Sequence, residues 1–190
     1  VGAVSGASQY RKSTFLLDAA GQAVFPAFLN MSEQPHIPGA LGSSPFDAEG
    51  VATRDRDLVA GGVLKGYVLD TYSARKLGLE STGNAGGVHN LVIEPGPHDY
   101  DGLVRLMDRG FVVTELMGQG INLVTGDYSR GAAGFWVEGG RIQFPIHEVT
   151  IAGNLKDMLR GIVAVGRDVD LRGAIRTGSL LLDEMTIAGE

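Results

Sequence analysis

Apolar residues recur along this chain in short stretches, and their spacing shifts between a helical and a strand period. Tyr100, Leu103, Leu106 and Met107 follow Asp99 at helical spacing, and an aspartate there can cap the free N–H groups of a first turn. The spacing predicts a helix over 99–109, ended by Gly110. Asn154 stands in the same relation to Leu155, Met158, Leu159, Ile162 and Val163. These recur at i, i+3, i+4, i+7 and i+8 and predict a second helix over 154–165, stopped by Gly166. Both apolar stripes are expected to face the core. A shorter helix is expected over Ser73–Leu77, closed by Gly78.

Elsewhere the pattern reads as strands and turns. Gly61-Gly62 between Gly50–Leu58 and Val63–Asp70, and Gly139-Gly140 between Phe135–Glu138 and Arg141–Pro145, are primed-turn hairpin signals, because paired glycines accept the positive φ such turns need. Lys12–Asp18 and Gln22–Leu29 around Ala19-Ala20-Gly21 suggest a further hairpin. Asn30–Pro45, with three prolines, reads as an irregular connection, and Val149–Ala152 and Leu180–Ile187 as additional strands. No strand–helix alternation is sustained, so a parallel doubly wound sheet is not expected. The expected class is α+β: an antiparallel β-rich domain with a meander or barrel-like sheet and two main helices near 99–109 and 154–165.

Composition sharpens this in two places. Gly occupies 29 of 190 positions, about twice its usual share, and its scatter between apolar stretches fits many tight turns. Cysteine is absent, which removes disulfides, thiolate zinc sites and cysteine nucleophiles together. The net charge of −6 with dispersed Lys and Arg gives no basic face for direct nucleic-acid contact. No apolar run reaches the ~18 residues of a membrane span. The chain opens at Val1 without a basic leader, so a portion of a longer cytoplasmic protein is expected.

The candidate chemistry is sparse. His147-Glu148 begins like a zinc-peptidase helix, but Ile151 and Ala152 occupy the places of the second histidine; an exposed strand histidine is the expectation. Gly118-Gln119-Gly120 lacks the third glycine of a dinucleotide fingerprint. Thr125-Gly126-Asp127 reads as a turn, after which Tyr128, Ser129 and Arg130 could offer hydroxyls and a guanidinium to a peptide carboxylate. Ser129 has no base beside it in sequence, so no nucleophile is assigned. His89-Asn90 follow Gly83-Asn84-Ala85-Gly86-Gly87, a segment that lets backbone approach a ligand closely. No catalytic residue and no metal ligand are assigned.

Longer runs carry a resemblance. Thr114-Glu115-Leu116-Met117-Gly118-Gln119-Gly120, Thr125–Glu138, Ile151-Ala152-Gly153-Asn154-Leu155-Lys156-Asp157-Met158, Tyr10–Asp18, Tyr72–Leu79, Ser81-Thr82-Gly83 and Glu184–Gly189 resemble the PmbA (TldE) branch of the TldD/PmbA family, also labelled modulators of DNA gyrase. The resemblance covers nearly the whole chain. It implies that residues 1–190 form the C-terminal domain of such a protein, with the N-terminal domain absent from this chain. It implies a heterodimer in which a TldD-like subunit is a zinc metallopeptidase acting on unfolded peptides. TldD-type chains bind zinc through a His-Glu-x-x-x-His helix and a late cysteine, which would fall near Arg176-Thr177-Gly178; this chain has Thr177 there, a poor zinc ligand. The implied cofactor set is therefore none in this chain and zinc in the partner.

The implied partners are a TldD-like subunit and an unfolded peptide, with no nucleic acid or membrane; an isolated chain could pair with a second copy of itself. Substrate contact is expected from Thr82, Gly83, Asn84, His89 and Asn90 in one Gly-rich segment. A second segment, Gly118–Gly131, would add Gly118, Gln119, Gly120, Asp127, Tyr128, Ser129 and Arg130. Exposed strand edges near them would hold extended backbone. Two alternatives stay open: a metallopeptidase in its own right with ligands in the missing domain, or a non-enzymatic interaction module acting on gyrase.

Overall fold

The computed structural model describes residues 1–189. In chain order it holds α1 (Gly6–Tyr10), β1 (Met31–Glu33), β2 (Arg56–Ala60), β3 (Val63–Leu64), α2 (Thr71–Leu77), β4 (Leu91–Ile93) and α3 (Tyr100–Met107). Then follow β5 (Gly110–Met117), β6 (Asp127–Glu138), β7 (Arg141–Asn154), α4 (Leu155–Arg160), β8 (Ile162–Val165), β9 (Ile175–Arg176), β10 (Leu180–Leu182) and β11 (Thr186–Ala188). The class is α+β with mostly antiparallel sheets, as the pattern predicts, and among the described residues no sheet closes into a barrel.

A five-stranded sheet of order β3-β2-β1-β4-β9 and a two-stranded pair β10-β8 share one core. Leu29, Leu58, Val59, Leu64, Leu91, Ile93, Ile162 and Val165 meet there under Val4, Leu16, Ala19 and Val24. The second sheet, β11-β7-β6-β5, is built on the long β6–β7 hairpin. Gly139 and Gly140, at φ 59 and 67, turn it tightly enough to set Glu138 opposite Arg141. Tyr128, Ala132, Val149 and Ile151 form its own apolar cluster, against which Leu155, Met158 and Met185 pack.

Two expectations hold at the level of caps: Asp99 accepts from the Gly102 amide at 2.8 Å, and Gly78 ends α2 at φ 67. The structure adds a cap at the start of α2, where Asp70 accepts from the Ser73 amide at 2.6 Å. Gly61-Gly62 turn β2 into β3 as predicted, with Ala60 opposite Val63.

Others are corrected. The expected helix over 154–165 stops at Gly161, and Ile162–Val165 is a strand paired with β10. Its β-branched Ile162 and Val163 favour the pleated surface, so the last two positions of the apparent stripe belong to another element. No residue of α4 is fully buried. The expected hairpin over 12–29 does not form. Lys12 and Asp18 take positive φ, and side chains satisfy the backbone locally: Gln9 Nε2 donates to the Leu16 carbonyl at 3.1 Å and Thr14 Oγ1 to the Ala3 carbonyl at 2.7 Å. The irregular stretch 30–45 contains β1, and the expected strand Leu180–Ile187 divides between β10 and β11 in different sheets. Gly110 opens β5 rather than closing α3, which ends at Asp108.

One carboxylate ties this framework together. Burial pushes the Asp47 carboxyl up, but amides of Ala85, Val51 and Glu49, each at 2.9 Å, and the nearby His89 outweigh that and hold it below the ordinary aspartate range. A folded value below the unfolded one, about 3.9, stabilises the fold above that pH, and the contribution disappears as pH falls through the lower folded value. Asp47→Asn is therefore expected to flatten the acid limb of the stability curve below about pH 4, read as unfolding midpoint against pH. An unchanged acid limb would show that Asp47 does not contribute to it.

Candidate functional site

The two segments expected to touch substrate lie in different parts of the fold, and among the described residues no hydrogen bond or strand pairing joins them. The first is folded inward. Register sets Glu33 of β1 directly opposite Arg56 of β2, and Arg56 Nε donates to Glu33 Oε2 at 2.8 Å. Around this buried pair, Arg56 Nη2 donates to Asn84 Oδ1 at 2.9 Å and Asn84 Nδ2 donates to Glu33 Oε1 at 2.6 Å. The His89 amide also donates to Glu33 Oε1 at 2.7 Å, and Thr82 Oγ1 donates to Asn84 Oδ1 at 2.6 Å.

The His89 ring lies between two carbonyls, Nδ1 at 3.3 Å from Gly42 and Nε2 at 3.2 Å from Gly83. Asn90, fully buried, donates to the Gln34 carbonyl and to Ser43 Oγ and accepts from the Gly42 amide. The side chains of Thr82, Asn84, His89 and Asn90 thus all bond within the domain, and Gly83 is buried among them. Outward, the segment presents Gly86. Glu33 and Arg56, which organise the cluster, carry no local motif. The only sequence signal is an arginine entering an apolar strand and a glutamate far upstream of it.

The second segment is exposed. Gly118, Gln119, Gly120, Asp127 and Ser129 face solvent, Arg130 is half-buried and Tyr128 is buried in the second cluster. The loop folds back on β6: the Ser129 amide donates to the Gly120 carbonyl at 2.7 Å and the Asn122 amide to the Asp127 carbonyl at 2.9 Å. It is anchored elsewhere by Phe15 N to Leu123 O at 2.8 Å and Leu155 N to Gly126 O at 2.7 Å. Asn154, the cap of α4, also donates to the Thr125 carbonyl. An exposed loop held at several points on a rigid hairpin suits a surface that positions a chain rather than one that closes over it.

The side chains able to hold a metal lie apart in this domain. The sequence has no cysteine, and among the described residues no three His, Asp or Glu side chains converge. His36 bonds Thr53 Oγ1 at 3.1 Å, and His147 is an exposed residue of β7. Thr177, at the position the resemblance implies for a zinc ligand, turns its hydroxyl to the Gly178 carbonyl at 2.9 Å. Among the described residues no helix is long and apolar enough to cross a membrane.

A capped α+β domain on a long glycine-turned hairpin, with these sequence runs, defines a class. Residues 1–189 match the family model described as the PmbA/TldA metallopeptidase C-terminal domain, and the chain belongs to that PmbA/TldD family. It is 56% identical over 190 residues to metalloprotease PmbA of Escherichia coli O157:H7, covering 100% of this chain and 42% of that protein. It superposes with TM-score 0.94 and 34% identity on a candidate modulator of DNA gyrase from Bacteroides thetaiotaomicron, covering 100% of this chain and 43% of the other. TldE from Thermococcus kodakarensis is similar at TM-score 0.86 and 28% identity, over 99% of this chain and 46% of the other. The chain spans about two fifths of the length of the curated relatives it matches.

Proposed function

We propose that this domain belongs to the non-zinc-binding, substrate-positioning subunit of a cytoplasmic TldD/TldE-type metallopeptidase assembly that cleaves unfolded peptides. Its partner would be a TldD-like subunit carrying the zinc. The observation that carries the reading is the pairing of a donor-poor chain, with Thr177 where a thiolate would be needed, and an exposed, firmly anchored loop at Gly118–Gly126. Thiolate, imidazole and carboxylate hold zinc, and a hydroxyl engaged with a carbonyl does not. The family and the similarity to a TldE add support.

The cleft proposed for the peptide is shared between the two subunits. Gly118–Arg130 contributes directly, and Thr82–Asn90 contributes through the backbone at Gly86 or by holding the framework. Replacing Arg130 with alanine in the assembled complex is expected to slow cleavage of an unfolded peptide by about tenfold, the loss of one charge-assisted contact, with the dimer intact by gel filtration. His89→Ala in the same assay measures the contribution of the first segment. Unchanged cleavage by both variants in an intact dimer would remove the proposed cleft.

The name of the Escherichia coli relative, metalloprotease PmbA, favours a second reading in which the full-length protein holds its own metal in a domain outside this chain. Stoichiometric zinc and peptide cleavage by the isolated full-length protein would establish that reading over the first.

A further inference from the structure

Arg11 and the pair Arg75-Lys76 lie far apart in the sequence, and the packing of α1 on α2 brings them together. Gly6 sits so close to α2 that a Cβ there would collide with the Ser73 side chain. The end of α1 then meets the start of α2 through two tyrosines, the Tyr10 and Tyr72 rings standing edge to face with centroids 5.8 Å apart. The Arg11 guanidinium lies over the Tyr10 ring at 5.5 Å, and the Lys76 ammonium over the Tyr72 ring at 5.6 Å. Arg75 and Lys76 share the hollow beside Tyr72. Tyr72 is half exposed, and all three cations face solvent.

These cations have no anion of their own. Among the described residues none of the three has a carboxylate within 4.0 Å, in a chain with 22 Asp and Glu against 16 Lys and Arg. Arg75 and Lys76 stand in the last turn of α2, where a cation suits the helix dipole. That accounts for neither Arg11 nor the exposed face of Tyr72. Stacking on the rings orders Arg11 and Lys76 without neutralising them, so less side-chain freedom is lost when an anion arrives. Arg11 Nε donates to Tyr10 Oη at 3.1 Å, which leaves that phenol's own proton for an outside acceptor.

We propose that Tyr10, Arg11, Tyr72, Arg75 and Lys76 form a docking site for a short acidic stretch of another polypeptide. Guanidinium, ammonium and phenol all donate to carboxylates, and the rings offer apolar surface to the Asp and Glu stems. Length decides between anions. With these three cations set aside, the other 13 Lys and Arg face 22 Asp and Glu over the rest of the chain. Duplex DNA carries a charge every ~1.7 Å of its axis and would run on from the patch along a strongly negative molecule. A short run of carboxylates would not. A second copy carries the same net charge of −6 and is repelled as a whole. None of the five residues belongs to the peptide cleft proposed above.

The test uses the full-length protein and a fluorescein-labelled ten-residue peptide, half Asp and Glu in a Gly/Ser background. Beside it stand the same peptide with Asn and Gln in their place and an oligothymidylate of equal length. Expected are saturable binding of the acidic peptide, at least ~10-fold weaker binding of the amide peptide, and a marked loss of affinity at ~0.5 M salt. Arg75→Ala/Lys76→Ala should weaken the acidic peptide about tenfold, while Arg172→Ala, whose cation is already paired with Asp170, should not. Tyr72→Leu should weaken it by releasing Lys76, and Tyr72→Phe, which keeps the ring, should lose less. Equal binding of acidic and amide peptides, or of parent and double variant, would overturn the proposal. So would tighter binding of the oligothymidylate, which would make the occupant a nucleic acid. A parent that self-associates by light scattering, and a double variant that does not, would make it a second copy and overturn the proposal as well. Cleavage of an uncharged unfolded peptide by the assembled complex should be unchanged in the double variant, so failure of this surface and failure of the proposed cleft are read separately.

Discussion

Arg56→Leu is expected to destabilise the domain by about 3–5 kcal/mol, the range for stripping one partner from a buried ion pair. Glu33 is 2% exposed and would lose its cationic partner. The loss is unfavourable, since its remaining donors, Asn84 Nδ2 and the His89 amide, cannot replace a guanidinium. The effect should reach beyond β1 and β2. Arg56 Nη1 also donates to the Tyr67 carbonyl and Nη2 to Asn84, so amides over 82–90 should exchange faster than in the parent. Urea unfolding gives the total, and the double variant Glu33→Leu/Arg56→Leu separates its causes. If the penalty comes from a stranded charge, the double variant recovers much of it; if it comes from lost scaffolding of the loop, it does not. A single-variant loss below about 1 kcal/mol, the usual worth of an exposed pair, would mean that water reaches Glu33.

That pair also shows why part of the site was invisible in the sequence. Asp99 and Gly78 are read correctly because a helix end is decided by a residue and backbone groups a few positions away. Gly139-Gly140 are legible for the same reason, the turn being decided by two residues. Glu33 and Arg56 meet only because β1 pairs with β2, and nothing near either residue encodes that register. The errors have local causes too. Ile162 and Val163 sit at helical spacing from Leu155, but a glycine before two β-branched residues and a waiting partner strand, β10, decide the outcome. Between Lys12 and Leu29 the apolar pattern does predict burial, as Leu16, Ala19 and Val24 show. It fails on conformation because Gln9 and Thr14 offer the backbone bonds a partner strand would have made. The glycine-rich segment 82–90 reads as a ligand loop by composition. Only tertiary contacts show that its side chains are committed to Glu33, Arg56 and Gly42.

The exposed segment leads to the second large effect. Gly120→Ala is expected to reduce peptide cleavage by the assembled complex at least ~10-fold while leaving the domain folded. A Cβ at Gly120 would drive into the Ser129 carbonyl, beside the bond from the Ser129 amide to the Gly120 carbonyl. Overpacking of this kind costs about 1–3 kcal/mol. The cheapest relief is for the loop to lift from β6, because Ser129 is fixed in a ladder with Ala152. Lifting the loop moves Gly118 and Gln119, which the proposed cleft assigns to substrate. Gly139→Ala supplies the control: it takes a comparable strain at φ 59 in open space at the tip of the hairpin, so it should lower the unfolding midpoint yet preserve cleavage. A Gly120→Ala complex that cleaves at the parental rate, with the loop displaced as judged by faster amide exchange over 118–126, would take this loop out of the peptide path.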